Sequence, residues 1–187
     1  RWGLRRHLAT LIGVYSIFAG YVASGPRMNS HVFGQHLGQS AQSVHEASAT
    51  AQAMGLGVGA VVAPIGDWLV RTMSVFVLGN LIGAVGLLLL GFGGAALFFE
   101  AMVAVWLSQH AIPLARGRME VFHPVDPELK DIREARLATA GKVAQIVVPL
   151  LLIQGVAWSI SVTMPVMAVL LLGYTVVLWW LLRKEDP

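Results

Sequence analysis

Long apolar runs alternate with short polar stretches along the chain, and the runs have the length of bilayer crossings. Leu8 to Gly25 is an 18-residue uncharged run, enough for one tilted crossing of a hydrocarbon core about 30 Å thick. Arg1, Arg5 and Arg6 precede it, and Pro26 and Arg27 are expected to end it. Residues 26–46 carry three histidines, Asn29, three glutamines and Glu46. They read as an external segment, with at most a short helix along the membrane surface. Ala47 to Gly66 follows as twenty uncharged residues with almost no large aliphatics before Leu56. Its hydropathy is weak, but Ala47, Ala51, Gly55, Gly59 and Ala63 recur every fourth residue. Such a ladder gives a helix one flat face for close approach by another helix, so 47–66 is expected to cross while buried among neighbours.

Asp67, Trp68 and Arg71 suit an interface, with an aromatic anchor and an i,i+4 acid–base pair. The 43 residues from Met73 to Ala115 hold a single charge, Glu100. This is too long for one helix and fits two spans, 73–91 and 95–115, turning at Gly91-Phe92-Gly93-Gly94. Residues 116–142 contain six Lys/Arg and five Asp/Glu and read as a water-exposed cytoplasmic loop. Within it, Asp126-Pro127-Glu128 has the form of a helix start. A short surface helix is expected to about Arg136, with Lys130 and Glu134 paired one turn apart. Two further spans, 143–162 and 164–182, are expected to meet near Thr163-Met164-Pro165. Trp179, Trp180, Arg183 and Lys184 close the last one as an interfacial belt.

The expected fold is therefore all-α: one integral membrane domain over residues 1–187, a polytopic bundle of about six spans, with four or five as alternatives. Six spans with both termini cytoplasmic place twelve of the thirteen Lys/Arg inside, leaving only Arg27 outside, as the positive-inside bias requires. That bias fits a bacterial inner membrane, and an organellar membrane of bacterial ancestry would look the same. No stretch at the start reads as a cleavable secretory signal. No internal repeat is visible, so the inverted-repeat mark of many secondary transporters is missing.

Composition narrows the chemistry. The chain is 56% hydrophobic and 12% charged, with a net charge of +3, against roughly a quarter charged in soluble domains. Nucleic acid is not an expected partner; lipid and other membrane subunits are, and the 116–142 loop is a candidate dock for a cytosolic protein. The absence of cysteine excludes disulfides, thiolate metal sites and a cysteine nucleophile. No Walker loop, Rossmann glycine pattern, nucleophile elbow or zinc-protease helix is found, so a catalytic chain is not expected.

An ionisable group within a span costs about 2.5–3.5 kcal/mol on the insertion scale, which makes Glu100 the first candidate for an ion or proton path. Asn80 is the second, and Gln145 and Gln154 are further amides within spans. Gly79 and Gly83 form a second small-residue pair and mark a helix contact. His7 and His110, each near the cytoplasmic end of an expected span, are the pair that a bis-histidine heme b would use. His31, His36 and His45 are the metal alternative, although their spacing puts no two on one helical face. Three functions follow. The first is a non-catalytic subunit that scaffolds helices in a larger multisubunit membrane complex, with no cofactor. The second is a small transporter, channel or export-apparatus component using Glu100. The third is a heme-carrying redox membrane anchor.

Overall fold

A computed structural model of the chain describes residues 2–69, 72–122 and 126–182. These residues are helical nearly throughout, with no strand among them. Eight helices follow in order: α1 (Trp2–Met28), α2 (Ser30–Leu37), α3 (Ala41–Leu69), α4 (Thr72–Phe92), α5 (Phe98–Ser108), α6 (Ala111–Phe122), α7 (Pro127–Trp158) and α8 (Ile160–Leu182). In hydrocarbon a helix is the segment that satisfies its own backbone, which is why the apolar runs fold this way. Among the described residues four stretches are long and apolar enough to cross a membrane: Ser74–Phe92, Gly94–Leu114, Pro127–Trp158 and Ile160–Leu181.

Several boundaries differ from the sequence expectation. The first apolar run does not stop at Pro26 and Arg27; α1 carries Pro26 inside it and ends at Met28. The polar segment 26–46 is mostly helix. α2 is the short amphipathic piece, burying Phe33 and Leu37 and closing at Gly38 with φ +68°; α3 then starts at Ala41. The charged region 116–142 is not a loop either, because α6 and α7 occupy nearly all of it. Asp126 does cap a helix, accepting from Glu128 N at 3.4 Å, but that helix does not end at Arg136. It runs 32 residues to Trp158, about 48 Å at 1.5 Å per residue, and so absorbs the expected 143–162 span. Nothing between Arg136 and Val143 except Gly141 disfavours helix. The last turn falls at Ser159, extended at φ −165°, rather than at Thr163–Pro165. Gly155 lies against Thr163, where a Cβ would come within 2.7 Å, and this close approach closes the α7–α8 hairpin. The glycine turn between α4 and α5 is found where expected, with Gly94 at φ +57° and a single 3-10 turn, Gly94–Leu97, after it.

Side-chain neighbours give the helix directions. Gly13 meets Leu137 and Gly25 meets Leu152, so α1 and α7 run parallel. Gly55 meets Trp106 and Gly59 meets His110, so α3 runs parallel to the α5–α6 line. α4 runs antiparallel to that line, with Gly83 on Ser108 and Gly86 on Val105, and antiparallel to α8, with Gly91 on Pro165. The long helices therefore alternate up and down in chain order. One end of the bundle gathers the start of α1, the start of α7 and the end of α8; the other holds α2, the Gly93–Gly94 turn and Ser159. Arg116, Arg133, Glu120 and Glu134 join α6 to α7 at the first end, through Arg116–Glu120 at 3.1 Å, Arg133–Glu120 at 3.3 Å and Arg133–Glu134 at 3.4 Å. Glu134 thus pairs with Arg133 rather than with Lys130. The core runs along the bundle axis through Phe33, Leu87, Phe98, Met102, Leu152 and Met164.

Candidate functional site

Few polar side chains are buried among the described residues, and Asn80 and Ser108 lie beside Tyr15 at mid-height. Tyr15 of α1 donates its hydroxyl to Asn80 Oδ1 of α4, and Asn80 Nδ2 donates to Phe76 O at 2.9 Å within its own helix. Tyr15 also stacks on Tyr174 of α8, with ring centroids 5.1 Å apart, and meets Phe76 edge-on at 5.5 Å. Tyr174 in turn donates to Leu11 O at 3.0 Å, and its buried neighbour Thr175 donates to Leu171 O at 2.8 Å within α8. The result is a polar seam tying α1, α4 and α8 together. Next to it a void of about 10 Å³ is lined in part by Tyr15, Asn80, Ser108 and Gln109, room for one water.

Ser108 and Gln109 sit where the α5–α6 line is broken. Between α5 and α6, Gln109 N and His110 N bond to Trp106 O and Leu107 O, each at 3.2 Å, a tightened i→i−3 pattern instead of the α-helical one. Pro113 explains the break. It offers no N–H to the Gln109 carbonyl and its ring crowds that carbonyl. His110 stands at the break with its ring packed on Gly59 of α3 and with Nε2 buried and without a hydrogen-bond partner. Beside it lies an apolar cleft of about 450 Å³ lined from α3, α4, α5 and α6, with Gly59 and His110 both in its wall.

The expected site residues distribute as follows. Asn80 belongs to the polar seam. Glu100 does not: it is exposed in the first turn of α5, eight residues and about 12 Å along the helix from Ser108. The structure does not bring Glu100 and Asn80 together. In the ladder on α3, Ala51 is fully buried, Ala47 is partly buried, and Gly55 lies so close to α5 that a Cβ would come 2.6 Å from Trp106 Cβ. Gly59 receives His110, while the side chain of Ala63 lies outside the described residues. Gly79 lies against Ala111 and Gly83 against Ser108 Oγ, where a Cβ would stand at 2.7 Å. Gln145 and Gln154 face outward on α7.

His7 falls on α1, but its side chain lies outside the described residues. Its backbone position is eight residues, about 12 Å, from Tyr15, the α1 residue level with the break. His31, His36 and His45 are all exposed; His31 pairs with Gln35 at 3.2 Å, and no group of three metal-binding side chains forms among the described residues. Arg71, Arg183 and Lys184 lie outside the described residues, and Trp179 and Trp180 are exposed near the end of α8. Sequence reasoning missed Tyr15, Tyr174, Thr175, Ser108 and Gln109. The available signals were Pro113 within an apolar run and tyrosines far from any span end.

Compared with family models, curated proteins and solved structures, the chain matches none.

Proposed function

We propose that the chain is a six-span integral membrane subunit, with both termini cytoplasmic, whose role is to pack and scaffold helices in a larger multisubunit complex of a bacterial inner membrane. The alternating helix directions support six crossings, since α1 and α3 run the full height of the bundle beside the four stretches long and apolar enough to cross. The end that gathers Arg116, Lys130, Arg133 and Arg136 is then the cytoplasmic one, with Arg27 opposite.

One observation carries the reading. α3 uses Gly55 and Gly59 against α5 and leaves Ala53, Gly57, Ala60 and Val61 exposed on its far side, with open space around Gly57. A helix of this composition gains little from lipid, and its small residues admit a neighbouring backbone closely. Outward Gln145 and Gln154 on α7 fit the same need, since amides in hydrocarbon seek partners. The test is a native gel in mild detergent after purification from native membranes. Gly57→Leu fills open space and leaves the fold intact, so it releases the chain as a monomer from a larger assembly. Migration of the unaltered chain as a folded, dispersed monomer would overturn the reading.

A transporter, channel or export component is the second reading, favoured by the span broken at mid-height beside buried polar groups. It locates the path at Asn80, Ser108 and Gln109 rather than at Glu100. Flux that falls in Asn80→Leu but not in Glu100→Gln separates this version from the one built on the carboxylate.

A further inference from the structure

The void beside Tyr15 has room for one water-sized body, and the bonds of the polar seam decide what that body can be. It is walled by Tyr15 of α1, Asn80 of α4, and Ser108 and Gln109 at the α5–α6 break, with apolar side chains between them. Both hydroxyl hydrogens are already committed: Tyr15 donates to Asn80 Oδ1, and Ser108 Oγ donates to Val105 O at 2.6 Å. Asn80 turns its nitrogen back to Phe76 O of its own helix, at 2.9 Å. The spare capacity of these three oxygens is lone pairs. Gln109 brings a fourth oxygen toward α1, with its Oε1 4.0 Å from where a Cβ on Gly20 would stand. Pro113 leaves the Gln109 carbonyl without an N–H at the same break.

We propose that this void binds one dehydrated monovalent metal cation, held by the oxygens of Tyr15, Asn80, Ser108 and Gln109. A water has only two hydrogens to give and turns its own lone pairs toward the remaining oxygens; a cation is attracted by every oxygen at once. An anion is repelled by the same oxygens. A divalent ion calls for carboxylate ligands, and no residue of the lining is acidic. An organic ammonium exceeds the space. An ion is costly in bare hydrocarbon, but neutral oxygen dipoles that replace its hydration shell lower that cost. A helix broken near the bilayer midplane is where membrane proteins place such dipoles. The inference rests on the second reading above and deepens it by naming the chemical class that the path carries.

The test uses the whole protein in lipid nanodiscs and radioactive sodium ion, read by scintillation proximity at constant ionic strength. Binding is expected to saturate at one ion per chain, with displacement by unlabelled sodium chloride and none by choline chloride. Tyr15→Phe and Ser108→Ala each remove one oxygen and keep the shape of the side chain. Each is expected to raise the half-saturating concentration about 10- to 100-fold, the worth of one oxygen contact to an ion. Ser108→Ala carries the test if Tyr15→Phe does not fold, since Ser108 lies against Gly83 and losing an atom there relieves crowding. Glu100→Gln is expected to bind as the unaltered chain does. Binding that never saturates, that choline displaces equally, or that Glu100→Gln abolishes while Ser108→Ala leaves it unchanged overturns the proposal. Saturable binding without sodium flux into proteoliposomes supports the site and removes the path. Sodium flux that Asn80→Leu abolishes, without saturable binding, keeps the path and overturns the site.

Discussion

Tyr15 and Asn80 form the only hydrogen bond between side chains of different long helices that is fully buried among the described residues. In water such a pair exchanges with solvent at modest net gain; in a bilayer the comparison is with other protein donors, and the measured average is about 0.6 kcal/mol, reaching about 1.7. Burial of both partners, together with the Tyr174 ring stacked on Tyr15, puts this pair toward the upper part of that range. Tyr15→Phe is expected to lower unfolding free energy by about 1–1.5 kcal/mol in a steric-trap or detergent-unfolding assay. Asn80→Leu, which also removes the bond to Phe76 O, is expected to cost at least as much, and the double variant no more than Asn80→Leu alone, because both changes remove the same interhelical bond. Strictly additive costs would mean that the pair is not coupled. Glu100 is the opposite case at this scale. Its insertion cost made it conspicuous in the sequence, but the fold meets that cost by setting it on the outer face at a helix start, where a carboxylate also sits well against the helix dipole.

At the scale of the element, proline is the residue whose meaning sequence alone leaves ambiguous. Pro26, Pro64, Pro149 and Pro165 all lie inside continuous helices, whereas the helix breaks four residues before Pro113. Membrane helices tolerate proline because neighbours and local tightening satisfy the freed carbonyl. For that reason Pro26 and Pro165 misled the placement of two helix ends, while the glycine turn at Gly93–Gly94 was legible: a positive φ requires a residue without a side chain. The apolar runs and the α3 ladder could be read directly, because lipid length and small-residue spacing leave marks in one dimension. The polar seam could not be, because Tyr15, Asn80 and Tyr174 are brought together only by helix order. Pro113→Ala restores an N–H for the Gln109 carbonyl and is expected to let α5 run into α6. Hydrogen exchange at residues 109–112 should then slow about fivefold, as one i→i−4 bond worth about 1 kcal/mol is added and the break closes. Unchanged exchange would assign the break to the packing of His110 on Gly59 instead.

At the scale of the whole molecule, the up-and-down order of the helices makes a claim about the two faces of the membrane that no single segment makes. α1, α4 and α7 point one way and α3, α5–α6 and α8 the other, so every connection belongs to one end or the other. Lys130 and Arg136 lie at one end, and Gly38 and Ser159 at the opposite end, with α7 spanning between Lys130 and Ser159. Only the first 15 or so residues of α7 carry charge, and the remaining stretch from Val143 to Trp158 is about 24 Å long, close to the hydrocarbon thickness once its flanks are added. In the proposed six-span arrangement the long helix therefore stands partly outside the bilayer on the cation-rich side, where attraction to anionic lipid and the insertion bias both hold it. Because the chain contains no cysteine, single replacements report sidedness without background. His36→Cys and Ser159→Cys are expected to react with an impermeant maleimide on intact cells, and Lys130→Cys only after the membrane is opened. His36 and Lys130 are both exposed on helices, so these two substitutions test topology with little effect on the fold. If Lys130→Cys and Ser159→Cys react from the same side, α7 does not cross, and the positive charge that set the orientation belongs to a helix lying outside the bundle's membrane-spanning part.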